Sequence, residues 1–73
     1  MSSWILITML DGRERYENGA QIEELFEVVT HVDGELRVLN ATQIRFQSGR
    51  ILLVRTSLAD VLAQLRLRAK EAA

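Results

Sequence analysis

The stretch QIRFQSGRILLVRTSLADVLAQLRLRAK, Gln43–Lys70, decides the fold. Gln43–Gln47 alternates, with Ile44 and Phe46 on one side and Arg45 and Gln47 on the other, the period of a half-buried strand. Ser48-Gly49 turns the chain. Arg50–Arg55 then encloses Ile51-Leu52-Leu53-Val54, four apolar residues in a row. A strand covered on both faces reads this way, which predicts that it lies at the centre of a sheet. Ser57 follows as a helix N-cap, with Asp60 three residues on in a variant of the capping box. Leu58, Val61, Leu62, Leu65 and Ala69 form one apolar stripe of helical period. Arg66, Arg68 and Lys70 fall in the last turns, where positive charge complements the carbonyl end of the helix dipole. The chain holds no proline to interrupt this segment. A helix is therefore predicted over residues 58–70, packed by its stripe on one face of the sheet.

Upstream of this unit the signals are those of hairpins. Trp4–Leu10 is rich in strand-favouring residues and ends at Asp11-Gly12, the dipeptide of a two-residue hairpin turn. Arg13–Glu17 returns, carrying Tyr16 as its one large side chain among charges, which suits a wet edge strand. Asn18-Gly19 breaks the chain again. Ile22, Leu25, Phe26 and Val29 stand at helical spacing with Glu23, Glu24 and Glu27 opposite, whereas Val28–Val32 reads as strand. The expectation is a short helix giving way to a strand near Val28, then a turn at Asp33-Gly34 and a return through Leu36–Leu39. The fold class is thus α+β: a small antiparallel sheet of four or more strands with a C-terminal helix on one face. The expected parts are hairpins at 4–17 and 28–40, strands at 43–47 and 50–55, and the helix, all in one domain over residues 1–73.

A longer pattern crosses these elements. The pattern T-x-x-D-G-x-x-R-x-x-N-x-x-Q-I of Thr8–Ile22 recurs in Thr30–Ile44, with identity at seven of fifteen positions. Two hairpins with the same turn would share Asp-Gly, but not also Arg, Asn, Gln and Ile at matching places. A duplicated hairpin unit is the expectation.

Composition limits the chemistry. The chain has 73 residues. A domain of that size buries only about 60% of the surface its unfolded form exposes. There is no cysteine, which excludes disulfides, thiolate zinc sites and thiol nucleophiles. The single histidine, His31, has no serine in a nucleophile elbow to serve, and scattered carboxylates offer no spaced ligand set. Gly12, Gly34 and Gly49 belong to turns and form no phosphate-cradling loop. Neither an enzyme, nor a metal site, nor a bound cofactor is expected. No run of about 18 apolar residues is present, and Met-Ser-Ser-Trp carries no basic n-region. No membrane partner and a cytoplasmic location are therefore expected.

Binding remains, and charge bears on the partner. Residues 1–49 hold four arginines against eight acids, and residues 50–73 hold five basic residues against two acids. A dedicated duplex binder needs a basic face, so direct specific nucleic-acid recognition is not expected. A protein partner with patches of both signs fits better. Trp4 at the start of the first strand, Arg13, Arg15 and Tyr16 on the first return strand, and Arg66, Leu67 and Arg68 on the outer side of the helix are the candidate partner-binding residues. They are of types enriched in interface hot spots, or, for Leu67, apolar on a polar face. An acidic front of Glu14, Glu17, Glu23, Glu24 and Glu27 is expected to meet basic partner surface. A small nucleic-acid-binding module using the basic terminal helix is the alternative, and an open sheet edge would allow strand addition or self-association.

With its Met-Ser-Ser-Trp start, its 73 residues and eight arginines to one lysine, the chain resembles the small transcription regulators encoded by lytic Xanthomonas phages. The resemblance implies a regulator that binds the two large subunits of host bacterial RNA polymerase. It further implies inhibition of initiation by displacing the sigma factor, and antitermination during elongation. It assigns no contact residues. Within residues 33–65, Asp33-Gly34, Leu39-Asn40-Ala41, Ile44, Gly49-Arg50, Val54-Arg55 and Val61 are similar to the FlbD-like flagellar pattern. Leu53–Leu65 also resembles the strand-to-helix run of LytTR-type DNA-binding modules, although the basic DNA-reading loop has no counterpart. Both partial likenesses imply a strand–turn–strand–helix ending.

Overall fold

The computed structural model describes residues 3–31 and 38–72. Five strands and one α-helix follow one another: β1 (Trp4–Thr8), β2 (Glu14–Asn18), a single 3-10 turn (Gly19–Gln21), β3 (Ile22–His31), β4 (Val38–Phe46), β5 (Ile51–Val54) and α1 (Leu58–Ala72). The architecture is α+β, with the strands antiparallel throughout. They divide into two sheets, β1-β2 and β3-β4-β5, instead of one sheet of four or more strands. A single bridge, Met9 to Val54, joins the two among the described residues. Beyond it the sheets part, because side chains take over the outer edge of β1. The Gln64 amide of α1 accepts from the Leu6 N–H at 2.8 Å and donates to the Leu6 carbonyl at 2.8 Å. The Thr56 hydroxyl accepts from the Thr8 N–H at 2.7 Å, and the Thr8 carbonyl accepts from the Arg55 N–H at 2.7 Å.

The core lies where the inner faces of both sheets meet α1. Ile5 and Ile7 from β1, Ile44 and Phe46 from β4, Val54 from β5 and Val61 from α1 are buried together. Met9, Ile22, Leu25, Leu52 and Leu65 pack around them. Alternation along β4 puts Ile44 and Phe46 inward, as the sequence predicts. Ser57 caps α1, its hydroxyl accepting from the Asp60 N–H at 3.1 Å. The helical stripe is buried at Val61 and runs out by Ala69, which is exposed.

Four expectations are corrected. First, β5 is not the central strand of its sheet: β4 is, and Ile51 is 56% exposed. The apolar run arises because Leu52 and Val54 face the core while Ile51 and Leu53 occupy the outer face. Second, the strand expected from near Val28 begins already at Ile22, in place of the short helix expected before it. A β-bulge between Ile22 and Glu24 lets Ile22 and Leu25, three residues apart, both pack on the core. The extra residue of the bulge thereby imitates helical spacing. Phe26 and Val29, the other members of that apparent stripe, are 44% and 67% exposed. Third, the return arm of the 28–40 hairpin and the strand expected at 43–47 are not separate, since β4 runs unbroken from Val38 to Phe46. The predicted turn at Asp33-Gly34 lies outside the described residues. Fourth, Asp11-Gly12 is not a two-residue turn. The Gly12 N–H donates to the Met9 carbonyl at 2.9 Å and the Met9 N–H to the Arg13 carbonyl at 2.7 Å, enclosing Leu10-Asp11-Gly12. Only Gly12 takes positive φ, at 91°, so Asp11 avoids the left-handed strain that a two-residue turn would impose. Gln47-Ser48-Gly49 repeats the same three-residue loop, with Gly49 at φ 92°.

The sequence repeat is not reproduced in the pairing. Thr8 faces Glu14, six residues on, whereas Thr30 faces Leu39, nine residues on. The second hairpin is therefore paired three residues out of step with the first.

Candidate protein-binding surface

Register fixes what the first hairpin shows to solvent. Ile5 and Ile7 face inward opposite Glu17 and Arg15. Period two then places Trp4, Leu6 and Thr8 on the outer face, with Asn18, Tyr16 and Glu14 opposite them. Trp4 is 50% exposed and Tyr16 64%. Because Tyr16 pairs with Leu6, the two aromatics are diagonal neighbours across the hairpin, within reach of each other as such pairs generally are. Beside Tyr16 runs an open groove of roughly 690 Å³. Met9, Leu10 and Leu53 line it together with Tyr16, and Asp11, Arg13, Glu14 and Arg15 bring charges of both signs.

The charged groups here are already engaged. The Asp11 carboxylate accepts from the Arg13 N–H at 2.9 Å and from the Arg13 Nε–H at 2.7 Å. These bonds, the backbone one first, hold the Asp11 carboxyl below the ordinary carboxylate range, because they favour its charged form. Glu17 is nearly buried and clamped on both oxygens, by Arg15 Nη2 at 2.7 Å and by Arg50 Nη2 at 2.5 Å. Arg50 also lies over the Phe46 ring, 4.3 Å from its centre, a favourable placement for a cation. The clamp thus ties β2 to the loop before β5. Arg45 pairs with both Glu23 and Glu24. The expected acidic front therefore does not exist as a free field: three of its five carboxylates are neutralised within the chain. Glu14 and Glu27 remain without an ion pair among the described residues.

Of the sequence-predicted site residues, Arg13, Arg15 and Tyr16 come together at the groove, and Trp4 shares the outer face with Tyr16. Arg66 and Leu67 are exposed on α1, and neither lines the groove. The side chain of Arg68 lies outside the described residues. Sequence reasoning misses Met9, Leu10 and Leu53. Leu53 carries a signal, the second apolar side of the run Ile51–Val54, but it reads equally as burial.

Among the described residues no group of three or more histidine, aspartate or glutamate side chains could hold a metal ion. No helix among them is long and apolar enough to cross a membrane. No protein-family model, curated protein or solved structure matches the chain.

Proposed function

We propose that this chain is a non-catalytic transcription regulator that seats the outer face of its β1–β2 hairpin on bacterial RNA polymerase. One observation supports a binding surface there: Trp4 and Tyr16 stand exposed on one face of the hairpin, and Tyr16 also lines a groove with Met9, Leu10 and Leu53. Large aromatics with a polar handle gain contact area at little conformational cost, which is why they dominate interface energetics. Arg13 and Arg15, paired with Asp11 and Glu17, would supply polar contacts along the groove that Tyr16 lines. The polymerase itself comes from the resemblance to the phage regulators. On that reading the chain occupies the large subunits in the cytoplasm, displaces the sigma factor at initiation and favours antitermination, with no bond-making of its own.

The test is a pull-down from nuclease-treated bacterial lysate at moderate salt, with the wild-type chain and with Trp4→Ala/Tyr16→Ala. The large polymerase subunits should be retained by the first and lost by the second. Truncating two hot-spot aromatics weakens binding by at least about 30-fold. Absence of those subunits from the wild-type eluate defeats the polymerase assignment. Retention unchanged in the double variant defeats the surface.

A further inference from the structure

The two sheets have four outer strand edges, and they are treated differently. That of β5, only four residues long, meets the chain beyond β1 at the Met9–Val54 bridge. That of β1 is closed by Gln64, Thr56 and Arg55, as described above. That of β2 is five residues long and carries Glu14, Arg15 and Glu17, a short charged edge of the kind that discourages pairing. That of β3 is different. It runs ten residues and pairs only with β4. Outside that ladder, no backbone group of Glu23–His31 has a hydrogen-bond partner among the described residues. Its acids protect it less than their number suggests, because Arg45 of β4 draws on both Glu23 and Glu24. Phe26 and Val29 stand exposed along it. An open edge of this length is a template for another strand.

We infer that β3 pairs with β3 of a second copy, as an antiparallel strand about a two-fold axis through Phe26. A two-fold perpendicular to the sheet keeps both core faces on the same side, so facing residues must be an even number of positions apart. That leaves few registers. Centred on Leu25, Glu23 would oppose the partner's Glu27. Centred on Glu27, that carboxylate would oppose its own copy, and like charges directly opposite each other are destabilising. Centred on Val28, Phe26 would meet the partner's Thr30 and lose an aromatic pairing. Centred on Phe26, no acid faces an acid. Glu24 meets the partner's Val28, Leu25 meets the partner's Glu27, and the exposed phenyl ring meets the partner's Phe26. The result is a closed six-stranded sheet in which both β3 edges disappear, so association stops at two copies. The hairpin proposed for polymerase lies on the other sheet, so the two readings fail independently.

The wild-type chain in sedimentation equilibrium should approach twice the mass of one 8.3 kDa chain as concentration rises. Because there is no native cysteine, single substitutions report the register directly. Phe26→Cys should link to itself under mild oxidation. Glu24→Cys and Val28→Cys should link only when mixed. Phe26→Arg should give a monomer whose thermal melt matches that of the wild type at concentrations low enough for the wild type to be monomeric too, since Phe26 lies outside the core and association itself raises the melt. The mass of a single chain at every concentration overturns the proposal, as do masses that grow past two copies. A dimer that survives Phe26→Arg overturns the edge, and self-linking at Val28→Cys in place of Phe26→Cys overturns the register.

Discussion

Replacing Glu17 by Gln removes the one charge that pairs with Arg15 on its own strand and with Arg50 across the gap between the sheets. The side chain is only 7% exposed, and both oxygens are used, at 2.7 Å and 2.5 Å. Each bond to a charged partner contributes about 1.5–3 kcal/mol, and breaking a fully buried pair costs about 3–5 kcal/mol. Arg15 and Arg50 are each 46% exposed and can recover water, which moves the expected loss to the lower part of that range. Gln retains the shape and one acceptor. A loss of about 2–3 kcal/mol follows. That is a large share of the roughly 4–11 kcal/mol available to a chain of this length. At about 4–8 °C per kcal/mol the melting temperature should fall by roughly 8–24 °C. Urea unfolding followed by circular dichroism measures the loss, with Arg50→Met and the double variant completing a cycle. The coupling between the two positions should be at least about 1 kcal/mol, because they share one carboxylate. A Glu17→Gln loss below about 0.5 kcal/mol, the scale of an ordinary surface change, would refute the clamp.

Two further outcomes follow from close contacts. A Cβ at Gly19 would lie 2.7 Å from Leu65 Cδ2 and 2.8 Å from the Ser3 carbonyl oxygen. The carbonyl belongs to backbone and cannot turn aside, so Gly19→Ala should destabilise by about 1–3 kcal/mol, read as a lowered urea midpoint. Gln64→Ala removes both bonds to Leu6 and should cost about 1–3 kcal/mol. It should also raise the hydrogen-exchange rate of the Leu6 amide, and unchanged protection there would show that the amide does not close this edge.

Much of the fold could be read from the chain because it rests on local chemistry. Ser57 and the stripe from Leu58 to Leu65 specify α1 through side-chain capping and a period that needs no distant partner. Gly12 and Gly49 mark the two loops, because only glycine takes such a left-handed φ without strain. Alternation in Gln43–Gln47 assigns Ile44 and Phe46 to the core. Where local pattern misleads, a distant partner is responsible. Ile22–Val29 has helical spacing, yet a ten-residue strand forms because β4 supplies its ladder and a bulge realigns Ile22 with Leu25. The candidate surface divides in the same way. Trp4, Arg13, Arg15 and Tyr16 are legible as interface types on one hairpin, but Leu53 joins them only through the approach of β5 to β1 at Met9.

What the sequence alone determined, then, was which segments turn, which helix forms and which side chains seek burial. Those preferences are set within a few residues. Tertiary structure decided the division into two sheets, the pairing partners of the carboxylates and the edge left open. Glu17 looks like a surface acid until Arg50, 33 residues away, reaches it. Ion pairing and strand pairing between distant segments depend on where the chain returns in space, and neither periodicity nor composition records that.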